Sequence, residues 1–417
     1  MTRGAPSAGW PSPADFAAPP GPVERAAWQA ADHDARPARL ARLRGRFAAA
    51  GVDAYFGVRR EHMRYLTGFT LAEGEEKVAA QSGQFLVTGD EVVVLADSRY
   101  TIQAGREAPD ARIFGAYNDL PARWPELLAS AGARRVAVEA GHVSQATWTG
   151  LAAAAPEVEL VPIEGWVERD RGIKEPAELE RVAAACAVAD RALATLLPEI
   201  RAGATESELA LRLEWLIRTG GAEALAFDVA CLSGPEAALP HGSPGDRPIL
   251  ERSVLLFDFG AQVGGYRSDM TRTLFVGEPT TRDLEIYELV ARAQAAAVAG
   301  LVAAVEHVRG DDVGATPLPS GRAIDAAARD VIEAAGHGQH FGHGTGHGIG
   351  LATHESPSLG RFAPDTPLPS PTVFSVEPGV YLQGEMGVRI EDLVLLDAGA
   401  GRVEWLTRFP REVLVVA

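Results

Sequence analysis

At 417 residues the chain is longer than one domain usually runs, and two domains are the natural expectation. Its 47% hydrophobic content supports a sizeable core, while a formal charge of −17 argues against nucleic acid or an anionic membrane as partner, since either would call for a basic footprint. Two cysteines, Cys186 and Cys231, form neither a disulfide framework nor a zinc motif; ordinary buried thiols in a reducing, cytoplasmic compartment are expected.

The first 36 residues are rich in Pro and Ala and lack the continuous apolar stretch of a signal peptide. They read as an extended or partly disordered arm, with Trp10, Phe16 and Trp28 as anchoring side chains. Residues 37–168 form the next expected domain. There RLARLRGRFAAAGV is a basic amphipathic helix, DAYFGV a strand followed by REHMRYLTGF, GQFLVTG and EVVVLAD are strands, and SRYTIQAGREA is helix-like. Alternating units continue to VELVPIEGW, which implies an α/β layer arrangement. The polar junction VERDRGIKEPAELE opens the third region, 169–417, where Pro176 suits a first helical turn and starts a long helix. Thr205 and Glu208 supply a capping box for a second helix. Two more long helices are expected, from about Arg282 to Val305 and from Ile324 to Ala335. The apolar run 293–305 is too short to span a bilayer and reads as the middle of a packed helix. Between Glu306 and Arg322 a Gly/Pro-rich stretch reads as a surface loop bordering the site.

Two hairpins in this third region carry paired carboxylates. In LLFDFGAQVGGYRSDMTRTLFV, strand-like runs flank a glycine-rich turn near Val263-Gly264, and Asp258 and Asp269 are equidistant from it. A tight hairpin would set these carboxylates directly opposite each other, a destabilising arrangement unless a cation lies between them. FSVEPGVYLQGEMGVRIEDLVLL repeats the pattern, with Glu377 and Glu391 equidistant from Gly384 and Arg389 on the Glu391 face by period-two alternation. Arg389 has two readings, a group that orients a carboxylate or carbonyl, and an ion pair with Glu391 or Asp392. An imidazole comes from HFGHGTGHGIGLATHESP, which holds His340, His343, His347 and His354. Six glycines between Gly342 and Gly360 imply backbone held close to a neighbour, with positive φ open to it. His347 is the ligand candidate, His343 and His354 are candidates for supporting or substrate contacts, and His340 reads as surface. Asp258, Asp269, His347, Glu377 and Glu391 make an oxygen-rich set suited to hard or borderline divalent ions. Two ions sharing it would lie roughly 3.5–4 Å apart.

The stretches DFGAQVGGYRSDMTRT, GHGTGHGIGLATHESP, VEPGVY and VRIED resemble the pita-bread metallopeptidases, which comprise methionine aminopeptidase, Xaa-Pro aminopeptidase, prolidase and their non-metal relative creatinase. YLTGF and DSRYTIQA resemble the creatinase-type amino-terminal domain, which methionine aminopeptidases lack, so the resemblance points to the Xaa-Pro branch. It implies an α/β (α+β) chain, with a pita-bread catalytic domain of curved antiparallel sheet covered by helices, preceded by a smaller creatinase-type α/β domain. It further implies that Asp258 holds one ion, His347 and Glu377 the second, and Asp269 and Glu391 bridge both. The family places a histidine about seventeen residues before the first aspartate, which here is His241 in ALPHGSPGDRPI. A homodimer is implied as well.

Amide hydrolysis requires a polarised carbonyl, a strong nucleophile at neutral pH and a proton for the leaving amine. Two bound ions meet the first two needs. Glu377 is the expected proton shuttle and His354 a donor to the developing oxyanion, while His241, His343 and Arg389 line the substrate side. The expected activity is hydrolysis of Xaa-Pro bonds through a hydroxide shared by two divalent ions, releasing the amino-terminal residue from peptides with proline second. Xaa-Pro dipeptidase is the alternative. Manganese is the first choice of metal, with zinc, cobalt or iron compatible. A creatinase-like hydrolase or lyase, or a non-catalytic peptide-binding module, would be expected to lose some ligands, and all five are present.

Overall fold

The computed structural model describes residues 10–72, 82–309 and 317–416. Two compact units emerge, one of Ala26–Asp170 and one of Arg171–Ala417 together with the amino-terminal residues up to Arg25. In the smaller unit, strands β1 (Ala54–Gly57), β2 (Phe85–Thr88), β3 (Val92–Leu95), β4 (Arg112–Phe114), β5 (Arg135–Glu139) and β6 (Glu159–Ile163) form one sheet in the order β4-β3-β2-β1-β5-β6. The sheet is mixed, since β1 runs antiparallel to β2 and parallel to β5. Every residue of β1, β2 and β3 is buried, as expected of strands covered on both faces by helices. Trp124, from the helix Leu120–Ala131, packs edge-on against Phe56 of β1 at 4.9 Å between ring centres.

The amino-terminal arm departs from the sequence reading. A helix runs from Pro22 to Arg44, where an extended arm was expected up to residue 36. Its opening turn has Pro22 as a first helical residue, and Glu24 accepts the Gly21 N–H at 2.5 Å. The Ala-rich run behind it has high helix propensity, and Trp28 is buried. The other two aromatic anchors lie on the larger unit: Phe16 stacks on Phe409 at 6.2 Å, and Trp10 donates to the Val415 carbonyl at 3.2 Å.

In the larger unit, β7 (Ala224–Leu225), β10 (Ala261–Val263) and β11 (Tyr266–Arg267) form a small sheet. A four-stranded sheet joins β8 (Ala230–Ser233), β9 (Ser253–Phe259), β12 (Met270–Val276) and β20 (Val415–Val416). A five-stranded sheet has the order β14-β13-β15-β18-β19, from β13 (Gly346–Gly348), β14 (Glu355–Leu359), β15 (Thr372–Val376), β18 (Asp392–Asp397) and β19 (Arg402–Trp405). The pair β16 (Gly379–Leu382) and β17 (Met386–Arg389) completes the set. Four long helices accompany these sheets: Pro176–Leu196, Glu206–Thr219, Thr281–Arg309 and Gly321–Ala334. The expected capping box is present, with Thr205 and Glu208 satisfying each other's backbone N–H groups.

By length and composition alone Thr281–Glu306 could cross a membrane, but its Ile286, Val290, Ala293, Ala297 and Leu301 sit in the core with Phe374, Val388 and Ile390. Its apolar run is therefore the middle of a packed helix, as read from the sequence. Of the expected loop between Glu306 and Arg322, residues 310–316 lie outside the described residues.

Candidate active site

The first carboxylate hairpin closes through Gly264 and Gly265, whose φ values of 56° and 82° only glycine adopts freely, between the paired residues Val263 and Tyr266. This turn lies one residue later than the sequence reading placed it. As a result Asp258 pairs with Thr271, and Asp269 sits just outside the ladder, in the break between β11 and β12. The two carboxylates are thus diagonal neighbours rather than directly opposite, and both still line one cavity. The second hairpin keeps the expected register. The pairs Val376–Asp392 and Gly379–Arg389 bracket Glu377 and Glu391, which therefore face each other in the gap between two ladders.

His347 stands in the middle of β13, and its glycine neighbours have a steric purpose. A Cβ at Gly346 would lie 1.9 Å from the Ser375 carbonyl oxygen, and one at Gly348 would lie 2.3 Å from that of Ser356. The glycines thus bring backbone close to backbone. None of the six glycines from Gly342 to Gly360 has a positive φ, so that part of the expectation is corrected. The His347 N–H donates to Ser375 Oγ at 3.1 Å, and its Nδ1 lies 3.1 Å from the Gly348 carbonyl. Nε2 then points at Glu377 Oε1, 3.3 Å away, and at Asp269 Oδ2, 3.7 Å away.

These residues line a cavity of 420 Å³ together with His241, His343, His354, Arg389, Phe227 and Thr353. His241 is exposed at its rim. The His354 ring lies 4.0 Å from that of His347, centre to centre. Of its two readings, Arg389 takes the one in which it orients a neighbouring carboxylate, here that of Asp258. It pairs with Asp258 at 2.6 Å, donates from Nε to Thr271 Oγ1 at 2.8 Å and from Nη1 to Tyr381 Oη at 2.9 Å. The ion pair with Glu391 or Asp392 does not form, because Asp392 is held by Arg272 at 2.6 Å. His340 lies outside the cavity, beside Gln339.

Tyr381 and Thr271 were missed by the sequence reading. Tyr381 Oη also lies 2.8 Å from His343 Nε2, and Thr271 Oγ1 donates to Glu391 Oε2 at 2.7 Å. Period-two alternation from Glu377 reaches Tyr381, and from Asp269 reaches Thr271, so the signal was present in the spacing.

The electrostatics of the cavity are unfavourable without a cation. Burial, then repulsion from neighbouring carboxylates, pushes Asp269 and Glu391 well above the usual carboxylate range. Burial lowers His343, His347 and His354, favouring neutral imidazoles, and pushes Tyr381 up to about 12. Asp258 Oδ1 is buried with no hydrogen-bond partner. Donor atoms of Asp269, His347 and Glu391 lie within 4.8 Å of one another. An orphaned carboxylate oxygen, clustered acids and a neutral imidazole aimed at them fit divalent ions of oxygen preference.

The fold and this donor set define a metallohydrolase. Residues 180–398 match metallopeptidase family M24, and residues 39–173 match the creatinase/prolidase N-terminal domain. Over 378 residues the chain is 33% identical to the uncharacterized peptidase YqhT of Bacillus subtilis, covering 91% of this chain and 100% of that one. The Xaa-Pro dipeptidase of Pyrococcus furiosus is 38% identical over 257 residues, 61% of this chain and 69% of the relative. Among solved structures, the Xaa-Pro dipeptidase from Bacillus anthracis superposes with a TM-score of 0.80 at 32% identity, covering 91% of this chain and all of that one. The X-Pro aminopeptidase from Thermotoga maritima gives 0.78 at 32% identity, over 90% and 99% of the two chains. The chain belongs to metallopeptidase family M24, and it has the two-domain pita-bread architecture of the Xaa-Pro peptidases.

Proposed function

We propose that this metallopeptidase releases the amino-terminal residue from peptides with proline in second place, in preference to cleaving Xaa-Pro dipeptides. One observation carries the preference. A dipeptidase must receive the free carboxylate of proline, yet among the described residues lining the cavity Arg389 is the sole Lys or Arg. All three of its nitrogens are engaged, by Thr271, Tyr381 and Asp258. With the four acids offset by two divalent ions, no uncommitted Lys or Arg among the described lining residues is left to receive a proline carboxylate, whereas a longer peptide presents a neutral carbonyl there. The Pyrococcus relatives named Xaa-Pro dipeptidases support the second reading, in which the dipeptide is preferred.

Asp258, Asp269, His347, Glu377 and Glu391 would hold two divalent ions, which when bound polarise the scissile carbonyl and make water nucleophilic at neutral pH. Glu377, held by Ser375 Oγ at 3.1 Å, takes the proton from the attacking water and hands it to the departing nitrogen. His354 donates to the developing oxyanion. His343, held at Nε2 by Tyr381, and His241 on the rim receive the proline ring, whose tertiary amide offers no N–H to a strand-like grip. Arg389 keeps Asp258 in place. Manganese as the ion, a homodimer and a cytoplasmic location belong to the same proposal, the last supported by two free, buried cysteines.

The test is turnover of Xaa-Pro-Xaa tripeptides and Xaa-Pro dipeptides by chelator-treated protein, with and without added Mn²⁺. Metal-dependent cleavage with kcat/KM higher for tripeptides is expected. A strong dipeptide preference would overturn the chain-length assignment, and no cleavage with any divalent ion would overturn the peptidase reading.

A further inference from the structure

The helix Gly321–Ala334 carries two buried charges, Asp325 and Arg329, four residues apart on one face. Arg329 holds Asp325 by two bonds, Nε to Oδ2 and Nη2 to Oδ1, each 2.8 Å long. Burying such a pair costs desolvation, and apolar side chains of similar volume often pack as well or better. The pair therefore calls for a purpose that packing does not supply, and its remaining bonds show one.

These bonds go to alternate residues of the segment that leads into β13. Arg329 donates from Nη1 to the Phe341 carbonyl at 2.9 Å and from Nη2 to the His343 carbonyl at 2.7 Å. Asp325 Oδ1 accepts from the Thr345 N–H at 3.0 Å and from Thr345 Oγ1 at 2.9 Å. Gly342 and Gly344 lie between these residues and have no side chain to fix the backbone, so the helix does the anchoring. Two residues of the active site depend on that segment. The Phe341 ring, with the Arg329 guanidinium 4.1 Å from its centre, meets the His343 ring edge-on at 5.1 Å between centres. The Thr345 carbonyl accepts the Glu377 N–H at 2.8 Å.

We propose that Asp325 and Arg329 are positioning residues for the hydrolysis, a role that rests on the Xaa-Pro peptidase reading. Arg329 sets where the His343 ring meets the proline of the substrate, and Asp325, through Thr345, sets the alignment of Glu377 for proton transfer. Neither residue lines the cavity, so both act through the groups they hold. A lysine in place of Arg329 keeps a charge beside Asp325 but lacks the planar fork that pairs with the carboxylate and reaches two carbonyls at once. A displacement of about 1 Å in a group that holds substrate or moves its proton can cost about a hundredfold in rate.

The experiment measures KM and kcat for an Xaa-Pro-Xaa tripeptide, together with Mn²⁺ content, in the full-length wild type and in Arg329→Lys. Loss of one charge-assisted bond should raise KM about tenfold, with kcat falling less and metal content intact. A merely structural pair would lower the folded fraction and leave KM unchanged. Thr345→Val, which removes a single donor to Asp325, is the second variant should Arg329→Lys fold poorly. Its kcat per folded, metal-loaded molecule should fall about tenfold at unchanged KM, and Thr345→Ser should restore it. Wild-type KM in folded Arg329→Lys, or wild-type kcat in folded Thr345→Val, would overturn the positioning role alone. A wild type that cleaves no Xaa-Pro peptide would overturn the peptidase reading and the role with it.

Discussion

Replacing Glu206 by Ala should loosen the cavity rim without touching a metal ligand. Glu206 is fully buried at the start of the helix Glu206–Thr219. Its carboxylate accepts from the Ser233 N–H at 2.8 Å, Ser233 Oγ at 2.9 Å, the Gly245 N–H at 3.0 Å and Arg247 Nη2 at 2.6 Å. These donors sit at the two ends of the segment that presents Pro240 and His241 to the cavity. Truncation orphans the buried Ser233 N–H and the partly buried Gly245 N–H, at roughly 1–3 kcal/mol for a fully buried donor and less for one that water reaches. Arg247 is 44% exposed, so its charge pair adds little beyond its hydrogen bond. The expected loss is about 3 kcal/mol, read as a lower urea midpoint at constant slope. Each kilocalorie expressed as disorder of the His241 segment should raise KM for an Xaa-Pro-Xaa peptide about fivefold, with metal content intact. Glu206→Gln, which keeps an acceptor for Ser233, should lose about half as much. An Ala variant with an unchanged midpoint and an unchanged KM would refute the reasoning.

Burial pushes Asp190 up to about 7 from 3.8, against hydrogen bonds from the Arg408 and Phe409 N–H groups. Its folded value lies above the unfolded one, so the folded chain holds this proton longer. Its contribution is complete below pH about 4 and is lost as pH rises to about 7, by at most roughly 4 kcal/mol. Asp190→Asn should flatten that slope, which urea unfolding at pH 4.5 and 7.5 would measure; an undiminished slope would refute the assignment. Tyr381→Phe removes the hydroxyl shared by His343 and Arg389 and should cut kcat/KM about 10- to 100-fold, equivalent to about 1.4–2.7 kcal/mol; wild-type kinetics would show that Tyr381 has no part in holding the site. Gly346→Ala places a Cβ against the Ser375 carbonyl at 1.9 Å and should cost about 3 kcal/mol while shifting His347. Calorimetric metal titration of that variant should show weakened binding, and native affinity would contradict the close-approach account.

Much of this molecule was legible as one-dimensional pattern. The spacing of Asp258, Asp269, His347, Glu377 and Glu391 selected the residues that line the cavity, because a hairpin is a local object whose geometry its turn residues control. The capping box at Thr205 and the register of Glu377 against Glu391 are of the same kind. Where two adjacent glycines allowed two turn positions, spacing failed by one residue. The pairing Val263–Tyr266 decided that register and moved Asp269 off the ladder. The partner of Arg389 was beyond local pattern, since Asp258 and Tyr381 reach it from other strands and Arg272 had already taken Asp392. So was the purpose of the glycines beside His347, which depends on how near β15 and β14 pass to β13. Sequence determined which side chains are available and on which face of each strand they lie. Tertiary structure alone decided which charges neutralise one another, because that depends on distances between segments far apart in the chain.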